Sequence, residues 1–162
     1  MFWLSLLVLA IVLGLGFVVF FGPPYLPTFQ KNITVALDLL DLKPGQTLLE
    51  LGCGDGRVVL AAARRGIKVI GIELSPWLAL LAWLRTRRYG KQVKIIWGNY
   101  FLITWPQADA IFTFMLPRLM VKLDRRIAAW HTRPVRLASF AFKIPGKKPN
   151  RVVQNVFVYN YS

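Results

Sequence analysis

One stretch of nine residues, 49–57, constrains the fold of this chain more than any other. It reads LELGCGDGR, with glycine at 52, 54 and 56, and it lies between an apolar strand-like run and a helix-like segment. Glycines at this spacing allow the backbone to approach a ligand closely where a side chain would collide with it. The stretch therefore predicts a binding loop between a strand and a helix.

The rest of the chain alternates between strand and helix patterns. Strands are predicted at 47–51, 68–72, 94–97, 108–115, 135–142 and 151–159, and helices at 28–40, 56–65, 77–88 and 118–130. Such alternation predicts βαβ units and an α/β fold with a mostly parallel sheet. Because the loop at 143–150 is too short for a crossover helix, we expect the last two strands to pair antiparallel. The expected sheet has about six strands and a truncated C-terminal end.

The glycine spacing distinguishes three kinds of nucleotide site. A dinucleotide fingerprint needs a third glycine at 57, where the chain has arginine, and a P-loop needs G-K-[ST], which is absent. The pattern present, E-x-G-x-G-x-G, resembles class I methyltransferases, which bind S-adenosylmethionine (SAM). This resemblance implies a Rossmann-like class I methyltransferase fold. Its loop supplies six candidate cofactor-binding residues: Glu50, Gly52, Cys53, Gly54, Asp55 and Gly56.

Two further segments complete the predicted cofactor site. Glu73 ends the second predicted strand, 17 residues beyond Gly56. A carboxylate at this place can accept both ribose hydroxyls of a nucleoside, and Leu74 follows it. Asn99 and Tyr100 follow the third predicted strand, where an Asp or Asn commonly contacts the adenine in SAM enzymes. We predict that all four contribute to the same site.

The N-terminus carries a different signal. Residues 2–21 are uncharged, and as a helix of twenty residues they would span about 30 Å, the thickness of a hydrocarbon core. No basic region precedes this run, so we predict a retained transmembrane anchor at 1–22 rather than a cleaved signal. A proline-rich neck and an amphipathic helix follow at 23–45, and the SAM-binding methyltransferase domain occupies 46–162.

The positive charge indicates orientation and partners. All 21 Lys and Arg residues lie after residue 30, against seven acids, for a net charge of +14. The positive-inside rule places the globular domain on the cytoplasmic or matrix side, and the lack of an Arg/Ser-rich transit peptide favours a bacterial inner membrane. Because no nucleic-acid-binding signature accompanies the charge, we expect anionic lipid headgroups rather than nucleic acid as its partner. The only cysteine, Cys53, excludes an intrachain disulfide, and the only histidine, His131, argues against a histidine-rich metal site; we predict no metal.

Three stretches resemble the membrane-associated lysine methyltransferases of the ATP synthase c-subunit and adenine nucleotide translocase type, together with their bacterial relatives. They are the neck PYLPT at 24–28, the loop GCGDGR at 52–57, and ELSPWL at 73–78; LPRLM at 116–120 is a weaker match. The resemblance implies that the neck and the last segment line the methyl-acceptor site. It makes Tyr25 and Pro117 candidate catalytic residues and a lysine of an integral membrane protein the acceptor. The chain departs from the family pattern at Asn99, where an acid is usual, and at Arg118, where glutamine is usual.

The residues leave other functions open. The same anchored site could methylate a lipid or a small amine, or the chain could be a non-catalytic module that binds SAM at a membrane as a sensor or scaffold. The apolar stripe formed by Trp77, Leu80, Leu81 and Leu84 is expected to face the core, with contact to the bilayer as the second interpretation. The basic cluster after it is expected to be a solvated helix end, with contact to lipid headgroups as the second interpretation.

Overall fold

The structure is a computed structural model that describes residues 3–6 and 28–162. Its larger described part contains four α-helices, one 3-10 helix and seven strands. In chain order they are α1 Gln30–Leu40, β1 Thr47–Leu51, α2 Arg57–Arg64, β2 Lys68–Glu73, α3 Pro76–Thr86, the 3-10 helix Arg87–Gln92, β3 Val93–Trp97, β4 Ala110–Thr113, α4 Pro117–Trp130, β5 Val135–Phe140, β6 Arg151–Val153 and β7 Val156–Tyr161.

All seven strands form one sheet in the order β3-β2-β1-β4-β5-β7-β6. The five strands from β3 to β5 are parallel, and β7 is antiparallel to both β5 and β6. The central strands β1 and β4 are buried almost throughout, as expected where helices cover both faces of a parallel sheet. The predicted Rossmann-like, mostly parallel sheet is confirmed.

The prediction of about six strands with a truncated C-terminal end was wrong, because the sheet has seven strands. The segment predicted as one strand at 151–159 is a hairpin, in which β6 and β7 flank a two-residue turn. Gln154 and Asn155 in this turn have φ of 47° and 62°, the left-handed values that a type I′ hairpin turn requires at both central positions. Since this turn holds neither glycine nor proline, the sequence pattern did not reveal it, and the sheet gains a seventh strand.

Side chains from the two faces of the sheet form two hydrophobic cores. On β1, Leu48 packs with α1 and α2 on one face, while Leu49 and Leu51 pack with α4 on the other. Alternate residues of a strand point to opposite faces, so a five-residue strand serves both cores. Helix α1 places its buried stripe, Ile33, Leu37 and Leu40, in the first core.

Helix α3 turns a different face to the protein from the one we predicted. Its buried residues are Ala79, Ala82 and Thr86, whereas the stripe predicted to be core is exposed: Trp77 at 52%, Leu80 at 48%, Leu81 at 42% and Leu84 at 44%. The helix packs closely on α2 and on β3 at the sheet edge, and only small side chains fit into that contact. The prediction that this stripe faces the core was therefore wrong.

The predicted anchor at 1–22 and the neck at 23–27 lie outside the described residues, apart from 3–6. Within the described ranges, no helix has the length and apolar character needed to cross a membrane.

Candidate functional site

The glycine-rich loop is fixed to the end of β2 by hydrogen bonds from its own backbone. The amides of Gly52 and Cys53 both donate to the carbonyl of Ile72, at 2.8 and 3.0 Å. The next amide, that of Gly54, donates to Glu73 Oε2 at 2.8 Å. These bonds hold the loop at the carboxyl edge of the sheet, where ligands of open α/β sheets bind.

Two of the loop glycines are required by conformation and by space. Gly52 and Gly56 have φ of +77° and +78°, a left-handed conformation that side chains disfavour. A Cβ at Gly56 would also lie 2.9 Å from both Cα and Cβ of Ala82, so the loop and α3 touch backbone to backbone. Gly52 is exposed and has open space beside it, which leaves room for a ligand at the end of β1.

Glu73 links the segments that follow β1 and β2. Its side chain is 8% exposed; Oε2 accepts the Gly54 amide and Oε1 accepts the Ser75 amide at 2.9 Å. Each carboxylate oxygen can accept a second hydrogen bond, so Glu73 retains the capacity to receive the ribose hydroxyls of a nucleoside. Leu74 follows, and its carbonyl accepts a hydrogen bond from Trp97 Nε1 at 3.0 Å.

Two buried groups beside the loop have raised pKa values. Burial, together with the negative charges of Glu73 and Asp55, raises the pKa of Glu50 well above its ordinary range. Burial, with Glu50 and Glu73 nearby, likewise raises the pKa of the Cys53 thiol. Among the described residues, Glu50 Oε2 is buried without a hydrogen-bond partner. Glu50 therefore keeps one buried oxygen that is free to accept a hydrogen bond.

Asp55 is clamped by two arginines, one of which the sequence did not identify. Arg57, next in the loop, donates from Nε to Asp55 Oδ1 at 3.1 Å and from Nη2 to Oδ2 at 3.0 Å. Arg85, from α3, donates to the same carboxylate and, at 2.8 Å, to the Asp55 carbonyl. Because Arg85 lies thirty residues away in the chain, only the close packing of α3 on the loop brings the two together.

The third predicted segment also reaches this edge. Asn99 Oδ1 accepts the Phe101 amide at 2.8 Å, which forms the turn after β3. The ring of Tyr100 lies 4.0 Å from the position of a Cβ on Gly52, and burial, with the charge of Glu73, raises the pKa of Tyr100 to about 12. Segments that follow β1, β2 and β3 thus meet, as predicted.

Of the two candidate catalytic residues, Pro117 and Tyr25, the structure describes only Pro117. Pro117 is the first residue of α4, exposed, and lies after the carboxyl end of β4 at the same edge as the loop. Arg118 beside it is exposed as well. Tyr25 lies outside the described residues.

The residues at this edge fit SAM better than a phosphate-bearing cofactor. The amides of Gly52, Cys53, Gly54 and Gly56 all donate within the protein, so they do not form the open cradle that a phosphate needs. Acidic side chains gather here instead, next to a buried oxygen without a partner. The nucleoside of SAM brings ribose hydroxyls for Glu73 and carries no phosphate.

Comparisons with known proteins also point to methyltransferases. The human lysine N-methyltransferase of the ATP synthase c-subunit is 28% identical over 145 residues, covering 86% of this chain and 62% of that protein. A protein-lysine N-methyltransferase of Saccharolobus islandicus is 26% identical over 135 residues, covering 81% of this chain and 84% of that protein. A crystal structure of an RNA methyltransferase from Salinibacter ruber, in complex with S-adenosyl-L-homocysteine, has a TM-score of 0.76 at 27% identity, covering 84% of this chain and 92% of that one.

These matches confirm the resemblance seen in the sequence and the class I methyltransferase fold, and they support SAM as the cofactor. The chain spans about three fifths of the length of its human relative. The family described as ANTKMT methyltransferase domain matches residues 50–151, which include every predicted cofactor-binding residue and more than half of the chain. The chain belongs to this methyltransferase family.

Proposed function

We propose that this chain is a SAM-dependent protein-lysine N-methyltransferase whose acceptor is a lysine of an integral membrane protein. The observation that carries the proposal is the hydrogen bond from the Gly54 amide to the buried Glu73 carboxylate, which joins the glycine-rich loop to the acid that would hold the ribose. The names of the human and Saccharolobus relatives support lysine as the acceptor, since both are lysine N-methyltransferases.

SAM supplies a methyl group on a sulfonium, ready for in-line displacement by a nucleophile. The protein's part is to position the two reactants and to favour a neutral acceptor amine. With an ordinary pKa of about 10.4, neutralising a lysine at pH 7 costs about 4.6 kcal/mol. An apolar pocket lowers this cost because desolvation disfavours the ammonium form, so the reaction requires no dedicated base.

Aromatic side chains form an apolar cluster at the carboxyl ends of β4 and β5. Phe114 follows β4, and its ring centroid lies 4.9 Å from that of Phe140 at the end of β5 and 6.1 Å from that of Phe142. All three are only partly buried, so part of this cluster is open to a ligand. We assign it the role of contacting the apolar stem of the acceptor lysine.

The direction of α1 points its first residues toward the same edge. Helix α1 packs on β5 and β7, and just past its end the Asp41 carbonyl lies 3.5 Å from Arg136 Nη2, near the amino end of β5. The first residues of α1 therefore lie toward the carboxyl edge, where Phe29 is 74% exposed. This geometry supports a role for the preceding neck, and for Tyr25, in lining the acceptor site.

We further propose that residues 1–22 anchor the chain as a single span, with the domain on the cytoplasmic or matrix side and a bacterial inner membrane as its location. The uncharged run at 2–21 and the first basic residue at Lys31 support this assignment. The test is extraction of cell membranes with alkaline carbonate, followed by protease treatment of sealed vesicles of known orientation. Release by carbonate, or protection of the domain on the wrong side, would contradict the proposal.

Cofactor binding is tested first, by calorimetry on the full chain. Glu73→Gln replaces one acceptor oxygen with a donor, and we expect SAM affinity to fall by about 10- to 100-fold, as for loss of a hydrogen bond to a charged group. Asp109→Asn is the matched control, because Asp109 Oδ2 accepts the Thr47 amide at 2.7 Å, a similar bond at the opposite edge of the sheet. Equal SAM affinity in the two variants would contradict the assigned site.

The acceptor is then tested with radiolabelled SAM and isolated membranes. Label that survives lipid extraction and RNase, and that mass spectrometry places on a lysine, supports the proposal. Label in the chloroform phase identifies a lipid methyltransferase, and RNase-sensitive label identifies an RNA acceptor. SAM binding without formation of S-adenosylhomocysteine identifies a non-catalytic module. Each of these three results would overturn the lysine assignment.

A further inference from the structure

Helix α3 presents an unusual outer face. Its small residues face the protein, and five of its six large apolar residues face outward: Trp77, Leu80, Leu81, Trp83 and Leu84, each between 42% and 52% exposed. Trp97, at the end of the neighbouring strand β3, is 68% exposed. Together these six side chains, here called the α3 face, leave apolar area on the order of 600 Å² open, at the upper end for a patch on a soluble monomer.

Positive charge borders the α3 face, and negative charge is absent from its part of the chain. Between Glu73 and Asp109 the sequence contains five basic residues and no acid. Four of these, Arg87, Arg88, Lys91 and Lys94, are exposed, and none of them forms an ion pair with another described residue. The stripe through residues 77, 81 and 84 continues one turn later at Arg88, so the apolar face ends in cations.

We propose that the α3 face docks on an anionic bilayer surface, with its tryptophans and leucines at the boundary between headgroups and acyl chains and the basic residues at the headgroups. Amphipathic helices at membrane surfaces combine these two features, and tryptophan is enriched at that depth. A second copy of the chain fits the face less well. It would bring two cationic borders together, and the area falls below the roughly 800 Å² per partner of a stable interface.

The inner side of the same helix contacts the cofactor loop, which links membrane docking to the cofactor site. Ala82 lies against Gly56, and Arg85 donates to Asp55. A bilayer on the outer face would therefore lie about one helix diameter, roughly 10 Å, from the cofactor loop. The docked surface would hold the carboxyl edge of the sheet close to the membrane, whether or not residues 1–22 form an anchor.

The test places a fluorescent reporter on the full chain in lipid nanodiscs that each hold one copy. Leu81→Cys is labelled with a polarity-sensitive dye, since the native Cys53 is 3% exposed and stays protected. The control position is Val152→Cys, 52% exposed on β6, at the opposite end of the sheet from β3. With anionic lipids we expect nitroxide-labelled lipid to quench the dye at 81 but not at 152, and aqueous iodide to quench only the dye at 152.

Charge is tested with R87Q/R88Q, which changes neither the cofactor loop nor the apolar residues. At about 1 kcal/mol per basic residue near an anionic surface, removing two lowers the ratio of docked to undocked protein about 30-fold.

A dye at 81 that iodide reaches freely, or one shielded from both iodide and lipid, would overturn the proposal. The second result would mean that another segment of the chain covers the face. Shielding that appears only when vesicles hold several copies would point to self-association instead. SAM affinity of the labelled variants, measured separately, keeps failure of docking distinct from failure of the proposed methyl transfer.

Discussion

A methyl group added at residue 71 tests how β2 supports the cofactor loop. Gly71 has no positive φ, so Gly71→Ala introduces no backbone strain, only a collision. Its Cβ would lie 2.8 Å from Cys53 Sγ, 3.0 Å from Cys53 Cβ and 3.1 Å from Ile95 Cδ1. The end of Ile95 can rotate away, but Cys53 is buried in the loop and its amide is bonded to the Ile72 carbonyl. The loop must therefore move.

The size of the effect follows from overpacking. Forcing a methyl into a filled core costs about 1–3 kcal/mol, partly offset by the smaller entropy of the unfolded alanine chain, about 0.4–1 kcal/mol. We expect Gly71→Ala to lose about 1–2 kcal/mol of unfolding free energy in urea titrations without SAM, and SAM affinity to fall about tenfold in calorimetry. Gly98→Ala is the matched control, because its Cβ would meet Ile103 Cγ2 at 3.4 Å, an ordinary contact.

A double variant separates this collision from a general effect of alanine in a strand. Cys53→Ala removes the sulfur, the nearest atom, so Gly71→Ala should cost about 1 kcal/mol less in that background than in the wild type. Recovery is incomplete because the Cys53 Cβ remains at 3.0 Å. Strictly additive free energies, or a loss in Gly71→Ala no larger than in Gly98→Ala, would refute the reasoning.

Three further predictions concern charge around the loop. Arg85→Gln should lower stability by about 1–2 kcal/mol and weaken SAM binding, because the buried Asp55 then keeps only one of its two arginine partners. Arg65→Gln, which removes an exposed ion pair, should change stability by less than about 0.5 kcal/mol. Equal losses of stability in the two variants would contradict this prediction. Glu50 has a raised pKa, so the folded state holds its proton to higher pH than the unfolded state does, and stability should fall as pH rises above the ordinary value near 4.5. Glu50→Gln should flatten this slope in thermal melts, and an unchanged slope would argue against the raised pKa. The Cys53 thiol, buried and with a raised pKa, should react with iodoacetamide at pH 8 on the order of 100-fold more slowly in the folded protein than in denaturant, and similar rates would contradict its burial.

The sequence predicted those features that local pattern determines. Strand β1 was predicted at its observed bounds, and β2 to within one residue, because short apolar runs bounded by turns leave little choice of structure. The loop and Glu73 were predicted to meet because successive parallel strands end at one edge of the sheet. The clamp on Asp55 by Arg85 was beyond such reasoning, since it depends on how closely α3 approaches the loop.

The orientation of α3 shows the limit of the pattern most clearly. An apolar stripe at helical spacing indicates that a helix has an apolar face, but α3 is apolar nearly all round, so periodicity alone does not select the side that faces the protein. The contact with Gly56 selects it, since even a Cβ at residue 56 would lie only 2.9 Å from Ala82, and the helix turns small, buried residues to this side. The close approach that a glycine-rich loop permits thus forces the large residues outward. The same constraint that shapes the cofactor site therefore accounts for the exposed α3 face, and a loop without glycine at 56 would allow no such arrangement.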